Sequence, residues 1–83
     1  MKTRGRLAST KRFLGLIVKL SGPRGFSIGD LADSFGVSTK TIRRDLRAIE
    51  DLEIPLYQEE STLDDTRLRT LWRIDRHWMR KFL

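Results

Sequence analysis

The sequence contains no cysteine and only one histidine, His77. Without cysteine, neither a disulfide framework nor a thiolate metal site is available. One histidine is too few for a structural zinc site, so no metal or other cofactor is expected. The chain also lacks a glycine-rich phosphate loop and any cluster of a nucleophile with a nearby base. We therefore expect a protein that is not an enzyme.

Long hydrophobic runs are missing as well. The most apolar stretch, Phe13 to Leu20, is interrupted by Gly15 and Lys19. It is well short of the ~20 apolar residues that span a bilayer. It also lacks the small-residue cleavage site of a signal peptide. The sequence therefore predicts a cytoplasmic protein with no membrane partner.

Acidic residues are few, and they are unevenly placed. The 17 Lys and Arg residues exceed the 11 Asp and Glu residues, which gives a net charge of +6. Residues 1–24 carry no acid, residues 67–83 carry only Asp75, and five of the 11 acids gather between Glu53 and Asp65. This balance favours a polyanionic partner, with nucleic acid ahead of membrane or acidic protein. The alternative is a basic protein whose charge serves solubility alone.

The 83 residues are enough for one domain, and 39% of them are hydrophobic. A first helix is predicted from Arg4 to Leu20, because its apolar residues recur at helical spacing. The segment from Ser21 to Gly25 contains proline and glycine and ends this helix. The predicted core residues of the helix are Phe13, Leu16, Ile17 and Leu20, with Leu7 and Leu14 widening the stripe.

A second helix begins directly afterwards. Ser27 followed by Asp30 resembles a capping box, and Gly36 stands where a left-handed residue ends a helix. Its predicted buried side consists of Leu31, Ala32 and Phe35.

Ser38 then caps a third helix that runs to about Leu52. Its inward face is predicted to hold Ile42, Leu46 and Ile49. Its outward face is predicted to hold Lys40, Arg43, Arg44 and Arg47.

The periodicity changes after Glu53. Leu56 to Glu59 reads as a strand with Pro55 at its entry, and the polar stretch Glu60 to Thr66 reads as a loop. A second strand from Leu68 to Ile74 alternates core residues with Arg69, Leu71 and Arg73. The predicted fold is therefore mainly α with a small antiparallel β-hairpin wing, a winged helix-turn-helix with a three-helix core. The core spans about residues 4–74, and the tail of residues 75–83 leads to a missing or partner segment.

The segment from Ser27 to Leu46 carries the functional signal. Two helices joined by a short corner at Gly36 cross steeply, and small Ala32 lets the next helix pass over it. The third helix then has one side free of the core. Residue types suited to DNA lie there: Arg and Lys donate to guanine edges, and Thr offers a hydroxyl or a methyl. The predicted DNA-binding residues are Ser38, Thr39, Lys40, Thr41, Arg43, Arg44 and Arg47.

The cationic face of the third helix and Asp45 each allow more than one interpretation. The cationic face is also compatible with an ordinary solvated surface of a three-helix bundle. Asp45 lies on the flank of the third helix, where an apolar residue is common, and it is expected to pair with Arg44 or with a cation of the first helix.

The stretch LADSFGVSTKTIRRDLRAIEDLEIPLYQEE resembles the winged helix-turn-helix of the DeoR-like and WYL-domain regulators of bacteria. The His-Gly-Gly wing usual in DeoR-type sequences is missing, and Ile54 to Tyr57 is more similar to the WYL branch. The resemblance implies a transcription regulator, such as a repressor, whose recognition helix (about residues 39–52) enters the major groove of double-stranded DNA. It also implies a first helix and a wing on the flanking backbone, and a homodimer on repeated or palindromic sites.

Further expectations concern residues outside the third helix. The residues expected to contact the DNA backbone, or to belong to the wing, are Arg4, Arg6, Ser27, Arg67 and Arg69. For these arginines, a solvated cation is the alternative. Trp72 alternates with core residues and is expected to be buried, whereas His77 and Trp78 are left without a role. The competing function is a winged-helix module for protein interaction or dimerisation without direct DNA binding.

Overall fold

The computed structural model describes residues 3–64 and 67–81, with side chains described for residues 7–60, 69–78, 80 and 81. Three helices precede a two-stranded antiparallel hairpin and a short fourth helix. This is the arrangement of a winged helix-turn-helix, and it confirms the predicted fold class. The elements are α1 (Thr3–Leu20), α2 (Ile28–Phe35), α3 (Thr39–Asp51), β1 (Leu56–Asp64), β2 (Arg67–Ile74) and α4 (Arg76–Arg80).

The core is built from the predicted inward faces of the three helices together with the base of the hairpin. Phe13, Ile17 and Phe35 are half-buried and pack against it. Burial of these side chains is the main source of folding free energy in a chain of this size. The fully buried side chains are Leu16, Leu20, Leu31, Ile42, Ile49 and Ile74.

The expectation that Leu7 and Leu14 widen the core stripe is wrong. Their exposed fractions are 60% and 56%. An α-helix turns by about 100° per residue, so Leu14 lies about 200° away from buried Leu16. Leu7 is two turns before Leu14 and shares its side of α1, as does exposed Val18.

Two serine caps and one glycine fix the helix-turn-helix. The Ser27 Oγ accepts a hydrogen bond from the Asp30 amide, and the Ser38 Oγ accepts one from the Thr41 amide, each at 3.1 Å. Gly36 ends α2 with φ 65° and ψ 36°, a left-handed conformation that side chains disfavour. Caps of this kind satisfy amides that have no partner within the helix. The predicted caps and corner are confirmed.

The prediction of a loop from Glu60 to Thr66 is wrong. Strand β1 continues to Asp64, and Thr62 pairs with Leu68 across the hairpin. An irregularity in the register lies between Thr62 and Asp64. Main-chain pairing with β2 forms this largely polar segment into a strand, because backbone hydrogen bonds do not depend on an apolar face. Asp65 and Thr66 lie outside the described residues.

The hairpin is attached to the connection between α1 and α2. Phe26 and Trp72 exchange two main-chain hydrogen bonds, of 3.1 and 2.8 Å. A Cβ atom on Gly25 would lie 2.8 Å from the Leu71 Cβ and 3.0 Å from the Arg73 Cγ. This close approach makes Leu71 and Arg73 half-buried, whereas simple alternation predicts that both are exposed.

Part of the tail after the hairpin forms helix α4. The Asp75 Oδ1 accepts a hydrogen bond from the His77 amide at its start. Trp78 is half-buried and packs against the core, which gives this residue a structural place that the sequence leaves open. The final residues, Phe82 and Leu83, lie outside the described part of the chain.

In residues 3–64 and 67–81, no helix combines the length and the apolar composition needed to cross a bilayer. The same part of the chain contains no group of three or more His, Asp or Glu side chains placed to hold a metal ion.

Candidate nucleic-acid interface

The outward face of α3 carries four cations. Lys40, Arg43, Arg44 and Arg47 fall at i, i+3, i+4 and i+7, so they share one side of the helix. All four are exposed, and they surround a single depression in the surface. Ile42, Leu46 and Ile49 hold the opposite side of α3 in the core. The predicted division of α3 into an inward apolar face and an outward cationic face is confirmed.

These four cations have no acidic partner within the described side chains. The ion pairs found there join Arg12 to Asp45, Arg69 to Asp30, and Arg73 to Glu59. The first turn of α3 contains no acid either. The positive charge of this face is therefore available to an external anion.

The start of α3 combines the cap with other polar groups. Ser38 and Thr39 are exposed, whereas Thr41 is half-buried, with its Oγ1 3.1 Å from the Ser38 Oγ. Thr41 is thus less accessible than the sequence predicts. A helix N-terminus carries partial positive charge and free amides, which attract phosphate. The start of α3 adds this attraction to that of the cationic face.

Asp45 pairs with a cation of α1, which is one of the two partners expected from the sequence. The Arg12 Nε donates to the Asp45 Oδ2 at 2.6 Å, and the Arg12 Nη2 donates to the Asp45 Oδ1 at 3.2 Å. The hydrogen bond to Asp45 raises the pKa of Arg12 above its ordinary value; burial opposes this shift, and the negative charge of Asp45 reinforces it. The carboxylate is therefore neutralised by α1 and leaves the cations of α3 unpaired.

Some of the residues expected to contact the DNA backbone already have a partner or a structural role within the domain. Arg69 lies within β2 opposite Ser61, not at the end of a long loop, and its Nη1 is 4.0 Å from the Asp30 Oδ2. Ser27 caps α2. The side chains of Arg4, Arg6 and Arg67 lie outside the described part of the structure.

The sequence pattern does not reveal an apolar notch beside the cationic face. Its apolar lining comes from Ile28 of α2, Leu46 of α3 and Trp72 of β2. Its charged lining comes from Arg43, Arg47 and Glu50 of α3. Trp72 is half-buried, not fully buried as expected. Its strand alternation correctly points it inward, but nothing local in the sequence places it next to α3.

Helices α2 and α3 meet at a tight corner, α3 has an exposed cationic face, and a hairpin wing follows. These features define a winged helix-turn-helix protein. Comparison with known proteins agrees: residues 12–62, more than half of the chain, match the HTH domain family. The chain belongs to this family.

A curated relative comes from Bacillus subtilis (strain 168) and is named "Uncharacterized HTH-type transcriptional regulator YobV". It is 27% identical over 71 residues, which cover 86% of this chain and 23% of the relative. The chain thus spans about a quarter of the length of this relative. No solved structure gives a significant match.

Proposed function

We propose that this chain binds double-stranded DNA in a sequence-specific manner and regulates transcription. The observation that carries the proposal is the face of α3, where Lys40, Arg43, Arg44 and Arg47 are exposed and make no ion pair among the described residues. Four unpaired cations on one helix face match the regular negative charge of a phosphate backbone. Membership of the HTH domain family and the name of the Bacillus relative support the same function.

In the proposed complex, α3 lies in the major groove. An α-helix fits this groove, where arginine reads guanine through two hydrogen bonds. Arg43 and Arg44 are the proposed base readers, since they occupy the N-terminal half of α3, which usually meets base edges in helix-turn-helix proteins. Lys40, Arg47 and the helix start at Ser38 and Thr39 hold phosphates. Thr41 contributes its methyl edge or hydroxyl at the flank of α3.

The remaining contacts are proposed for the flanking backbone. Arg4 and Arg6 of α1, Ser27 at the start of α2, and Arg67 and Arg69 of the hairpin are assigned to phosphates or to the adjacent minor groove. Such contacts set register and add affinity without reading sequence.

The resemblance to DeoR-like and WYL-domain regulators supports two finer proposals. The first is that the chain acts as the operator-binding part of a regulator of this type. The second is that it binds as a homodimer to two half-sites. Half-sites of a helix-turn-helix dimer lie about one helical turn apart, roughly 34–36 Å, or a multiple of it.

The test begins with selection of bound fragments from random double-stranded DNA, followed by sequencing. A preferred site is expected, and two half-sites at a fixed spacing within it would support the dimer. Failure to retard or enrich any DNA at moderate salt would overturn the proposal and favour a protein-interaction module.

Binding to the selected site is then measured by fluorescence anisotropy for Arg43→Ala and for Arg44→Ala. Each is expected to weaken binding by on the order of 1–3 kcal/mol, because a base contact is lost. The fold should remain intact, since both side chains are exposed. The matched control is Arg80→Ala, which removes the same charge from an exposed position of α4 and should have a smaller effect. Unchanged affinity with alanine at both Arg43 and Arg44 would contradict the assignment of the recognition helix.

A further inference from the structure

Asp45 is an acid on a helix whose exposed face is cationic. The whole residue is 8% exposed, and among the described residues it is the charged residue that is buried. A buried carboxylate is strongly unfavourable unless a cation and hydrogen bonds compensate its charge. The partner of Asp45 therefore matters for the charge and the placement of α3.

Helix α3 itself supplies no such partner. Side chains that meet along a helix are three or four positions apart, and neighbours in sequence point in different directions. The residues at these distances from Asp45 are Thr41, Ile42, Ala48 and Ile49. None of them carries a charge, and adjacent Arg44 points away along the exposed face. The compensating cation has to come from another element.

Arg12 of α1 fills this role with two hydrogen bonds. Its Nε and Nη2 donate to the two different oxygens of the Asp45 carboxylate, at 2.6 and 3.2 Å. The two side chains are 20% and 11% exposed, so water screens the pair less than it screens a surface pair. A bidentate pair between a planar guanidinium and a planar carboxylate also restricts the relative orientation of the two groups.

We propose that Arg12 is a positioning residue for DNA recognition, because its two hydrogen bonds to Asp45 fix the rotation of α3 relative to α1. This inference rests on the proposed function of the α3 face. Arg12 itself need not touch DNA. The core residues hold α3 against the domain, and apolar packing permits small rotations that the pair between Arg12 and Asp45 prevents. A small rotation would move Arg43 and Arg44 away from the base edges they read, while phosphate contacts, which are less directional, would survive.

The experiment compares Arg12→Gln with Asp45→Asn in the 83-residue chain. These substitutions change the net charge in opposite directions, but both break the two-pronged pair. The measurement is the ratio of affinities for the selected site and for an unrelated duplex of equal length, at one salt concentration. Circular dichroism at the same temperature gives the folded fraction. Because loss of folded protein lowers both affinities alike, the ratio is insensitive to a purely structural role.

Both variants are expected to lower the ratio by about tenfold, within the range found for coupled contacts. Arg12→Lys, which keeps the charge but not the planar fork, should restore it only in part. The matched control is Lys11→Gln, which removes one exposed charge from the neighbouring position of α1. It should shift both affinities equally and leave the ratio unchanged.

Ratios equal to that of the unmodified chain in both variants would overturn the positioning role. So would opposite shifts of the two variants that follow their charge alone. If Arg12→Gln does not fold, Asp45→Asn decides the question, because an amide has nearly the shape of the carboxylate. Absence of a preferred site for the unmodified chain would instead contradict the proposed function.

Discussion

The arginines of α3 and those of the sheet and α1 differ in their surroundings. In α3, Arg43, Arg44 and Arg47 are exposed and make no ion pair within the described residues. By contrast, Arg12 and Arg73 are half-buried and hydrogen-bonded to Asp45 and Glu59. Equal residue types therefore serve two purposes in one small domain. Cations with an internal partner hold elements together, and cations without one are available to bind an external anion.

The ends of the two helices in the helix-turn-helix differ in the same way. The first turn of α2 contains Asp30, which lies near Arg69, whereas the first turn of α3 contains no acid. An acid in the first turn already compensates the positive helix end. The start of α3 is thus the more attractive of the two to phosphate, and Ser27 at the start of α2 is the weaker site.

The largest effect is expected from removing all four free cations. Replacing Lys40, Arg43, Arg44 and Arg47 with Gln should weaken binding to the selected site by at least about a thousandfold, if each contact contributes about 1 kcal/mol or more. The slope of log affinity against log salt should become shallower by about 0.9 for each cation that contacts a phosphate. Anisotropy titrations at several salt concentrations measure both quantities.

The control for this variant removes four exposed cations from outside α3, namely Lys11, Arg76, Arg80 and Lys81. It lowers the net charge equally, so any purely non-specific attraction falls by the same amount. An equal loss of affinity in the two variants would erase the distinction between α3 and the other elements.

A smaller effect is expected at the start of α3. Ser38→Asp and Ser38→Asn both keep a residue that caps helices well, so the free energy of unfolding should stay within about 0.5 kcal/mol. Only Asp adds a negative charge where a phosphate is proposed to lie. Binding by the Asp variant should be about tenfold weaker than binding by the Asn variant, as expected for the loss of one charged contact. Thermal unfolding measures the stability of the two variants, and anisotropy measures their affinity for DNA. Equal affinities of the Asp and Asn variants would contradict a phosphate contact at the start of α3.

The smallest effect is expected at Arg69. Its contact with Asp30 is long and exposed, and such pairs contribute about 0–1 kcal/mol to stability. Arg69→Gln should weaken binding to all sequences alike and reduce the salt slope by at most about 0.9. Lys81→Gln serves as the control of equal charge. A loss confined to the selected site would mean that Arg69 reads bases and that the wing shares in recognition.

The helices could be predicted from the sequence because their signals are local. Ser27, Gly36 and Ser38 act within one turn of chain, and the spacing of Ile42, Leu46 and Ile49 defines a face without reference to any other element. The cationic face of α3 follows from the same spacing. Apolar character alone does not place Leu14, because helix geometry puts it on the side of α1 away from the core.

The hairpin could not be predicted as fully, because strand pairing joins residues distant in sequence. Apart from Leu63, the residues from Glu60 to Asp64 are polar and resemble a loop, yet β2 supplies main-chain partners for these polar residues. The bridge joins Trp72 of β2 to Phe26, a single residue outside the two strands. A single residue has no alternating sequence pattern that could indicate the bridge. The sequence leaves two possible partners for Asp45, and spacing along α3 argues against Arg44. The choice of Arg12 depends on how α1 packs against α3.

The bridge at Phe26 has a mechanical consequence for the wing. Phe26 immediately precedes Ser27, the residue that starts α2, so one peptide unit separates the hairpin's anchor from the helix-turn-helix. Gly25 leaves no space between this connection and β2. The hairpin and the helix-turn-helix are therefore closely coupled. A displacement of β2 is transmitted directly to the first turn of α2, because no flexible segment lies between them.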